Sequence, residues 1–371
     1  MQVTPNKEIL PLTGLRFIAA LYVFIFHIHI RWPVAQEPLL RNIFDQGAVG
    51  MSLFFMLSGF VLAYSYDGSK LPVKAYFVNR FARIYPIYVL AALVTLPWIG
   101  ISLADGSTTS VIRSVAQWGT LIFANIFLIQ AWLPSLFQYW NNGASWSISV
   151  EAFCYILLPL ILPFLSRLSK RELYVLMAIC LLLGSLPGIT AAVFNNPVQT
   201  VYYSLPIYRV PEFVLGASLC LLRRSNSFSE KLPFTLLLAL TVFFLYLGIW
   251  GSSMPFYIGH SWIALPCIAL VIYTASTSTG FLARLLGNRL MVWLGKISYC
   301  FYSFQALIIL SLIDQHDRLV KTIPVLNNNV VLLLAVFTGL LCISALAFYT
   351  VEEPARRWVK RRYSPERRSA N

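Results

Sequence analysis

Residues 10–31 read LPLTGLRFIAALYVFIFHIHIR, an almost unbroken apolar run. A helix of about 20 such residues is long enough to cross the hydrocarbon core of a bilayer. Arg16 and His27 lie within the run, and a spacing of 11 positions puts both on one helical face, ~16 Å apart along the axis. Ionisable groups are costly in contact with lipid, so this face is expected to look into protein or water. The run therefore predicts a membrane-spanning helix that carries part of a functional site.

The composition of the whole chain is that of a membrane protein. Of its 371 residues, 58% are hydrophobic and only 11% are charged, whereas about a quarter are charged in soluble domains. Apolar runs of similar length recur without the alternation of outer-membrane strands, which predicts an all-α polytopic membrane protein. The first run holds two ionisable residues and lacks a small-residue cleavage site, so we expect it to be retained rather than removed as a signal peptide.

The basic residues decide how many of the eleven apolar runs cross the membrane. The run at 119–134 is short and poorly bounded. If it does not span and the N-terminus is inside, the inner segments hold 20 Lys and Arg residues and the outer loops hold 5. The positive-inside rule requires such an asymmetry. We therefore predict about ten transmembrane helices in the cell (inner) membrane, both termini cytoplasmic, and a re-entrant or interfacial helix near 119–134. The predicted spans are 10–30, 47–66, 84–104, 146–165, 172–193, 205–222, 233–250, 258–275, 292–312 and 329–351.

The domain organisation follows from this topology. A single transmembrane domain is predicted over 1–354, followed by a basic cytoplasmic tail over 355–371 that either faces anionic lipid or is simply solvated. The net charge of +14 is explained by the positive-inside rule, so no nucleic-acid partner is predicted. The six cysteines fall in apolar segments with no CxxC pair, so neither disulfides nor a metal site are expected.

A second group of polar residues follows Trp146, in the stretch WSISVEAFCYILLPL. Ser147, Glu151 and Tyr155 are spaced i, i+4 and i+8 and share one helical face. The topology puts Glu151 and His27 at similar depths below the outer surface. A carboxylate beside an imidazole fixes its tautomer and favours a general base. Alternatively, each residue pairs with another group for packing.

Two pairs of charged residues are spaced i, i+3. Arg80 and Arg83, in FVNRFARIYPIYVL, lie at the inner end of the predicted third span and either clamp phosphates or only anchor the helix. Arg16 lies nearer the inside on the first helix and could help to draw an anionic cytoplasmic ligand towards His27. Arg209 and Glu212, near the outer end of the seventh span, form a structural ion pair or line the mouth of a substrate path. No HExxH, P-loop or GxSxG motif is present, which argues against a zinc protease, a nucleotide-driven pump and a lipase of the hydrolase-elbow type.

Seven blocks of the sequence, in order, resemble the membrane-bound acyltransferase 3 family from about residue 9 to 358. The resemblance implies an integral membrane O-acyltransferase that moves an acyl group, often acetyl, from cytoplasmic acyl-CoA to a hydroxyl of a glycan, glycolipid or other small acceptor. It implies acyl-CoA as co-substrate, in particular acetyl-CoA, and no tightly bound cofactor. The blocks are GLRFIAALYVFIFH, GAVGMSLFFMLSGFVLAYSY, FVNRFARIYPIY, WSISVEAFCYILLP, YRVPEFVLG, LGKISYCFYSFQ and YTVEEPARR.

The resemblance also implies roles for individual residues. The family's arginine–ten residues–histidine motif falls on Arg16 and His27. Its RxxR motif, associated with the donor, falls on Arg80 and Arg83. Its glutamate after Trp-Ser falls on Glu151. The implied chemistry has His27 as general base or acyl carrier supported by Glu151, with either direct transfer or an acyl-histidine intermediate.

The sequence departs from the family pattern at two positions. The family usually has Phe-Tyr where this chain has Cys154-Tyr155, and often an acidic residue at the position of Ser52. Both departures could alter the shape of the acceptor site. Some family members also carry a soluble hydrolase-like domain, and this chain is expected to be a standalone member without it. The residues expected to line the acceptor site or pore are Trp146, Ser147, Tyr155, Arg209 and Glu212.

Two other functional classes use similar residues. A transporter of a small anion or sugar also places Arg, His and Glu within the membrane. It would be expected to show inverted repeats with broken helices in matching halves, which the sequence does not display. A non-catalytic lipid-binding scaffold would not need a histidine and a glutamate at the same depth.

Overall fold

The computed structural model describes residues 8–66, 72–101, 108–140, 142–194, 203–224, 232–253, 257–277 and 280–363. In these residues the regular secondary structure is entirely helical. The helices are α1 (Leu10–His29), α2 (Pro38–Asp45), α3 (Gly50–Ser65), α4 (Val73–Val94), α5 (Thr108–Ile126), α6 (Asn142–Leu165), α7 (Lys170–Phe194), α8 (Val210–Arg223), α9 (Leu232–Trp250), α10 (Ser261–Thr277), α11 (Phe281–Leu286), α12 (Arg289–Ser303), α13 (Gln305–Thr322), α14 (Asn329–Ala347) and α15 (Glu353–Tyr363).

The predicted all-α polytopic membrane fold is confirmed. Among the described residues, seven helical stretches are long and apolar enough to cross a membrane, and α12 with α13 forms an eighth that is bent by 53°. The remaining two predicted spans coincide with shorter helices, α8 with 14 residues and α10 with 17. The seven stretches are Leu10–His29, Pro38–Ser65, Val73–Val94, Gly143–Leu165, Lys170–Thr190, Phe234–Ser253 and Asn329–Val359.

The predicted bounds of the third span were wrong. The run at 84–104 was chosen for its apolar residues, but α4 begins at Val73 and ends at Val94, before a 3-10 turn that contains a proline. Run length missed the first half of α4 because Arg80 and Arg83 interrupt its apolar sequence. Both arginines therefore lie in the middle of a helix, where their side chains reach the interior of the bundle.

The predicted non-spanning helix is also displaced towards the N-terminus. Helix α5 ends at Ile126, and the rest of the 119–134 run consists mainly of short 3-10 turns. Helix α5 is not among the stretches that are long and apolar enough to span. Its end is fixed against α4, where the Tyr88 hydroxyl donates to the Asn125 side chain at 2.7 Å.

Glycines set the distance between the helix pairs that enclose the interior. A Cβ on Gly59 would lie 1.9 Å from a backbone oxygen of α8, and one on Gly216 the same distance from a backbone oxygen of α3. Likewise, a Cβ on Gly295 would lie 1.9 Å from a backbone oxygen of α1. Small residues at crossings are how membrane helices gain close packing. The α3–α8 and α1–α12 contacts thereby form closely packed walls.

Both described ends of the chain lie on one face of the bundle. Glu8, at the start of α1, lines the same cavity as Arg289 of α12 and Glu353 of α15. We call this the terminal face, and the face with α2 and the end of α1 the opposite face. The predicted tail, 355–371, begins within α15, and residues 364–371 lie outside the described residues.

Candidate active site

A small cavity of about 70 Å³ lies within the bundle, between α1, α3, α4, α6 and α12. We call it the central cavity. Its ionised lining residues are Arg16 from α1, Arg80 and Arg83 from α4, and Glu151 from α6. The structure thus brings together four of the residues that the sequence singled out, from three separate helices.

The central cavity has an excess of positive charge. Within the described part of the chain, Arg16, Arg80 and Arg83 form no ion pair closer than 4 Å, and the buried Nε of Arg80 has no hydrogen-bond partner. The Arg80 guanidinium lies over the Tyr155 ring, 5.7 Å from its centroid. Three guanidinium groups facing one carboxylate are costly in a bundle interior unless an anion joins them. The cavity is therefore suited to an anionic ligand.

Glu151 is held by hydroxyl groups rather than by an imidazole. Its Oε1 accepts hydrogen bonds from the Ser58 hydroxyl at 3.3 Å and from the Tyr155 hydroxyl. The carboxylate also lies within the electrostatic range of Arg16 and Arg83. Glu151 therefore joins the tyrosine and the arginine cluster into one network.

His27 lies apart from this network. It is not among the residues that line the central cavity, and its neighbours include the Phe26 ring at 5.1 Å and Arg31, whose Nη1 donates to the His27 carbonyl at 3.0 Å. His27 is two residues from the end of α1, ~3 Å along the axis, whereas Glu151 lies ~13 Å below the start of α6. Among the described contacts of Glu151, none involves His27, and the equal depth of the two residues stays a prediction. The role of His27 stays a prediction.

Two of the predicted acceptor residues, Ser147 and Tyr155, line the central cavity. The Ser147 hydroxyl lies 2.8 Å from the Tyr302 hydroxyl, which donates to the Ala144 carbonyl at 2.6 Å. These contacts place two hydroxyl groups in the part of the cavity that is nearest the start of α6. Such groups suit an acceptor that is itself hydroxylated.

Arg209, Glu212 and Trp146 form a separate buried network. Arg209 Nη1 lies 2.8 Å from Glu212 Oε1, which also accepts from the Ser52 hydroxyl at 2.9 Å. The guanidinium stacks on the rings of Trp146 and Tyr203, at 5.6 and 5.0 Å. None of the three predicted residues lines the cavities described here, so the geometry favours the structural ion pair. It also accounts for Ser52, because an acidic residue there would face the Glu212 carboxylate.

A second, larger cavity of about 630 Å³ lies at the terminal face, and we call it the terminal cavity. Arg16 and Arg83 line both cavities, so they mark the junction between them. Arg289, Lys296, Arg356 and Arg357 add further positive charge around the terminal cavity. Basic residues therefore lie along the whole stretch from the terminal face to the cavity that contains Glu151.

Comparison with known proteins identifies the family. The family model for the acyltransferase domain, acyltransferase 3, matches residues 10–349. The chain belongs to the acyltransferase 3 family. The match extends from the start of α1 to just beyond α14, so it covers every helix that lines the central cavity.

Curated relatives in the acyltransferase 3 family include acyltransferase MdmB of Streptomyces mycarofaciens, 29% identical over 312 residues, 80% of this chain and 78% of the relative. The putative peptidoglycan O-acetyltransferase YrhL of Bacillus subtilis (strain 168) is 26% identical over 385 residues, and the peptidoglycan O-acetyltransferase OatA of Listeria monocytogenes serovar 1/2a is 24% identical over 381. Both alignments cover 95% of this chain and 56% of the relative, so the chain spans little more than half of their length. No solved structure matches the chain.

Glu352 is a buried acidic residue near the site that the sequence reasoning missed, although it lies in a block shared with the acyltransferase 3 family. It is fully buried at the end of a π-helical turn, Phe348–Glu352. Cys300 Sγ donates to its Oε2 at 3.3 Å, Arg356 Nη1 lies 3.8 Å from its Oε1, and its charge acts on Arg83. Such turns often occur at functional sites. An acidic residue at the end of a long apolar run was the signal that could have identified it.

Proposed function

We propose that this chain is an integral-membrane O-acyltransferase that moves an acyl group, in particular acetyl, from acyl-CoA to a hydroxyl of a glycan or another small hydroxylated acceptor. The observation that carries the proposal is the excess of guanidinium groups in the central cavity, which shares Arg16 and Arg83 with a basic cavity at the terminal face. Relatives named as O-acetyltransferases support the reaction class.

In this proposal the donor enters from the terminal face, which is the cytoplasmic one. Arg16 and Arg83 bind its diphosphate at the junction of the two cavities, with Arg80 behind them. The pantetheine arm is a flexible chain that separates the thioester from the diphosphate. It runs along α1, on which His27 lies ~16 Å beyond Arg16 and on the same face.

The chemical step requires a base beside the acceptor hydroxyl. His27 accepts the hydroxyl proton, the oxygen attacks the thioester carbonyl, and the carbon–sulfur bond breaks to release CoA, whose thiolate takes up the proton. With an acyl-histidine intermediate, the same overall reaction would take place in two steps: transfer of the acyl group to His27 with release of CoA, and then transfer to the acceptor hydroxyl. Glu151 partly neutralises the arginine cluster and orients Tyr155. Contact between Glu151 and His27 would require a rearrangement when the substrates bind.

The test is transfer of label from radiolabelled acetyl-CoA in inside-out membrane vesicles supplied with glycan acceptors. We expect labelled product from the natural protein and its loss in His27→Ala and Arg83→Gln. Matched controls are His316→Ala and Arg113→Gln, which replace residues outside both cavities. Full transfer by His27→Ala would remove His27 from the scheme. Accumulation of a free anion or sugar without acetyl-CoA would indicate a transporter instead.

A further inference from the structure

The terminal cavity contains groups that the acyl transfer itself does not use. Arg289, Trp293 and Lys296 are spaced i, i+4 and i+7 along α12 and line this cavity together. Within the described residues, neither Arg289 nor Lys296 has an acidic partner within 4 Å, in contrast to Arg357, whose Nε lies 2.9 Å from Glu353. These two cations are therefore available to a ligand with several negative charges.

Aromatic rings accompany the two cations. Trp293 Nε1 donates to the Tyr349 hydroxyl at 2.9 Å, and both residues line the terminal cavity. The hydrogen bond holds the two aromatic side chains together at a place where positive charge is concentrated. Aromatic faces next to cations are the combination by which proteins hold a nucleobase and its phosphates.

We propose that the terminal cavity binds the adenosine 3′,5′-bisphosphate end of coenzyme A. The base stacks on the Trp293–Tyr349 pair, and Arg289 and Lys296 bind the ribose 3′-phosphate. The inference rests on the proposed acyl-CoA donor and makes its nucleotide, rather than its acyl group, the main source of donor recognition. The volume of about 630 Å³ is that of a cavity for a ligand of this size. A donor built on an acyl phosphate or on a carrier protein would leave the aromatic pair without a role.

The test is isothermal titration of the purified full chain in detergent with adenosine 3′,5′-bisphosphate. This probe lacks both pantetheine and thioester, so no acyl transfer takes place. We expect binding by the natural protein. The affinity should fall by a factor of about ten or more after Arg289→Gln or Lys296→Gln, because each substitution removes a charge-assisted hydrogen bond. Adenosine 5′-monophosphate, which lacks the 3′-phosphate, should bind the natural protein about tenfold more weakly on the same grounds.

Three further variants test the aromatic pair and the specificity of the charge effect. Trp293→Phe keeps a stacking surface and should bind more tightly than Trp293→Ala. Arg41 is an exposed arginine of α2 at the opposite face, so the Arg41→Gln variant should bind adenosine 3′,5′-bisphosphate as the natural protein does.

The outcomes separate this site from the proposed function. No binding by the natural protein, or equal binding by the Arg289 and Lys296 variants, overturns the nucleotide site even if acetyl-CoA still supports transfer. Binding that depends on these residues supports the site, and it would do so even if no acyl transfer were found with any acceptor.

Discussion

The Tyr155 side chain links the acidic and the basic parts of the central cavity. Its hydroxyl donates to Glu151, and its ring lies under the Arg80 guanidinium at 5.7 Å. The hydroxyl and the ring thus make separate contributions, one to orienting a carboxylate and one to holding a cation. Substitutions that remove only the hydroxyl, or the hydroxyl together with the ring, distinguish the two contributions.

We expect Tyr155→Phe to raise the KM for acetyl-CoA several-fold with little effect on kcat, because the ring stays beneath Arg80 while Glu151 loses one donor. Tyr155→Leu removes the ring as well and should raise the KM by a further factor of about five, given that a cation–π contact contributes about 1 kcal/mol. Steady-state kinetics in vesicles measure both. Equal KM values for the two variants would show that the ring does not hold the cation.

Glu352 is the other residue whose charge acts on Arg83. Glu352→Gln keeps its shape but removes the negative charge that acts on Arg83 and on the partly exposed Arg356, 3.8 Å away. The free energy of unfolding should therefore fall by about 1 kcal/mol, as for other ion pairs that solvent screens. The KM for acetyl-CoA should fall at the same time, since Arg83 loses a competing anion. Thermal unfolding and kinetics of the same preparation check both effects, with the partly exposed Glu353→Gln as the stability control. A higher KM would contradict this account.

Among the helices, the α3–α8 crossing allows the least change. A Cβ on Gly59 would lie 1.9 Å from the Phe213 carbonyl oxygen, so the two backbones cannot separate at one point without moving along their whole contact. Helix α3 carries Ser58, which donates to Glu151. The crossing therefore positions the site as well as the fold.

Gly59→Ala should lower the thermal unfolding midpoint strongly, with a loss of about 3 kcal/mol or more from overpacking. Gly339→Ala is the matched control, because Gly339 lies in a spanning helix and a Cβ there meets no atom within 4 Å. It should leave the midpoint unchanged or slightly higher. Similar midpoints for the two variants would mean that the α3–α8 contact can relax.

The connection between α9 and α10 contains a buried histidine that makes stability depend on pH. His260 lies 3.1 Å from both the Tyr246 hydroxyl and the Gly251 carbonyl, and burial lowers the pKa of His260 below its usual value. The unfolded chain therefore binds a proton more readily, so stability falls as pH drops through about 6.5. The unfolding midpoint should decrease between pH 7.5 and 5.5 (about one pH unit on either side of that value), and less so in His260→Gln. An equal decrease in both proteins would assign the effect to other groups.

At the scale of the whole molecule, the type and spacing of polar residues predicted the lining of the site better than the length of apolar runs predicted the bounds of the helices. Arg16, Arg80, Arg83 and Glu151 line one cavity, as expected of polar helical faces that must avoid lipid. That the four would share a cavity was not predicted, because the apolar runs put Arg80 and Arg83 at the inner end of a span and Glu151 near the outer surface. The bounds of α4 and α5 were missed because an apolar run does not reveal a helix that tolerates arginine in its middle. The hydroxyl groups that hold Glu151 depend on how α3 and α6 pack, which the sequence pattern does not encode.

The proposed orientation also makes a prediction for the whole molecule. With the terminal face in the cytoplasm, a cysteine in place of exposed Arg357 should react with a membrane-impermeant maleimide only in inside-out vesicles. One in place of Arg41 on the opposite face should react in intact cells. The buried native cysteines should contribute little, and exposed Cys342 is replaced by serine in both proteins. The reverse pattern would invert the topology.

The arginine cluster of the central cavity bears on how well the membrane stays sealed. A path that admits a donor from one side and an acceptor from the other is also a potential leak for protons and sodium ions. Three guanidinium groups around the central cavity of about 70 Å³ repel cations there, as fixed arginines do in water channels. The same charges that attract an anionic substrate would thus allow the protein to work in an energised membrane without dissipating the proton-motive force.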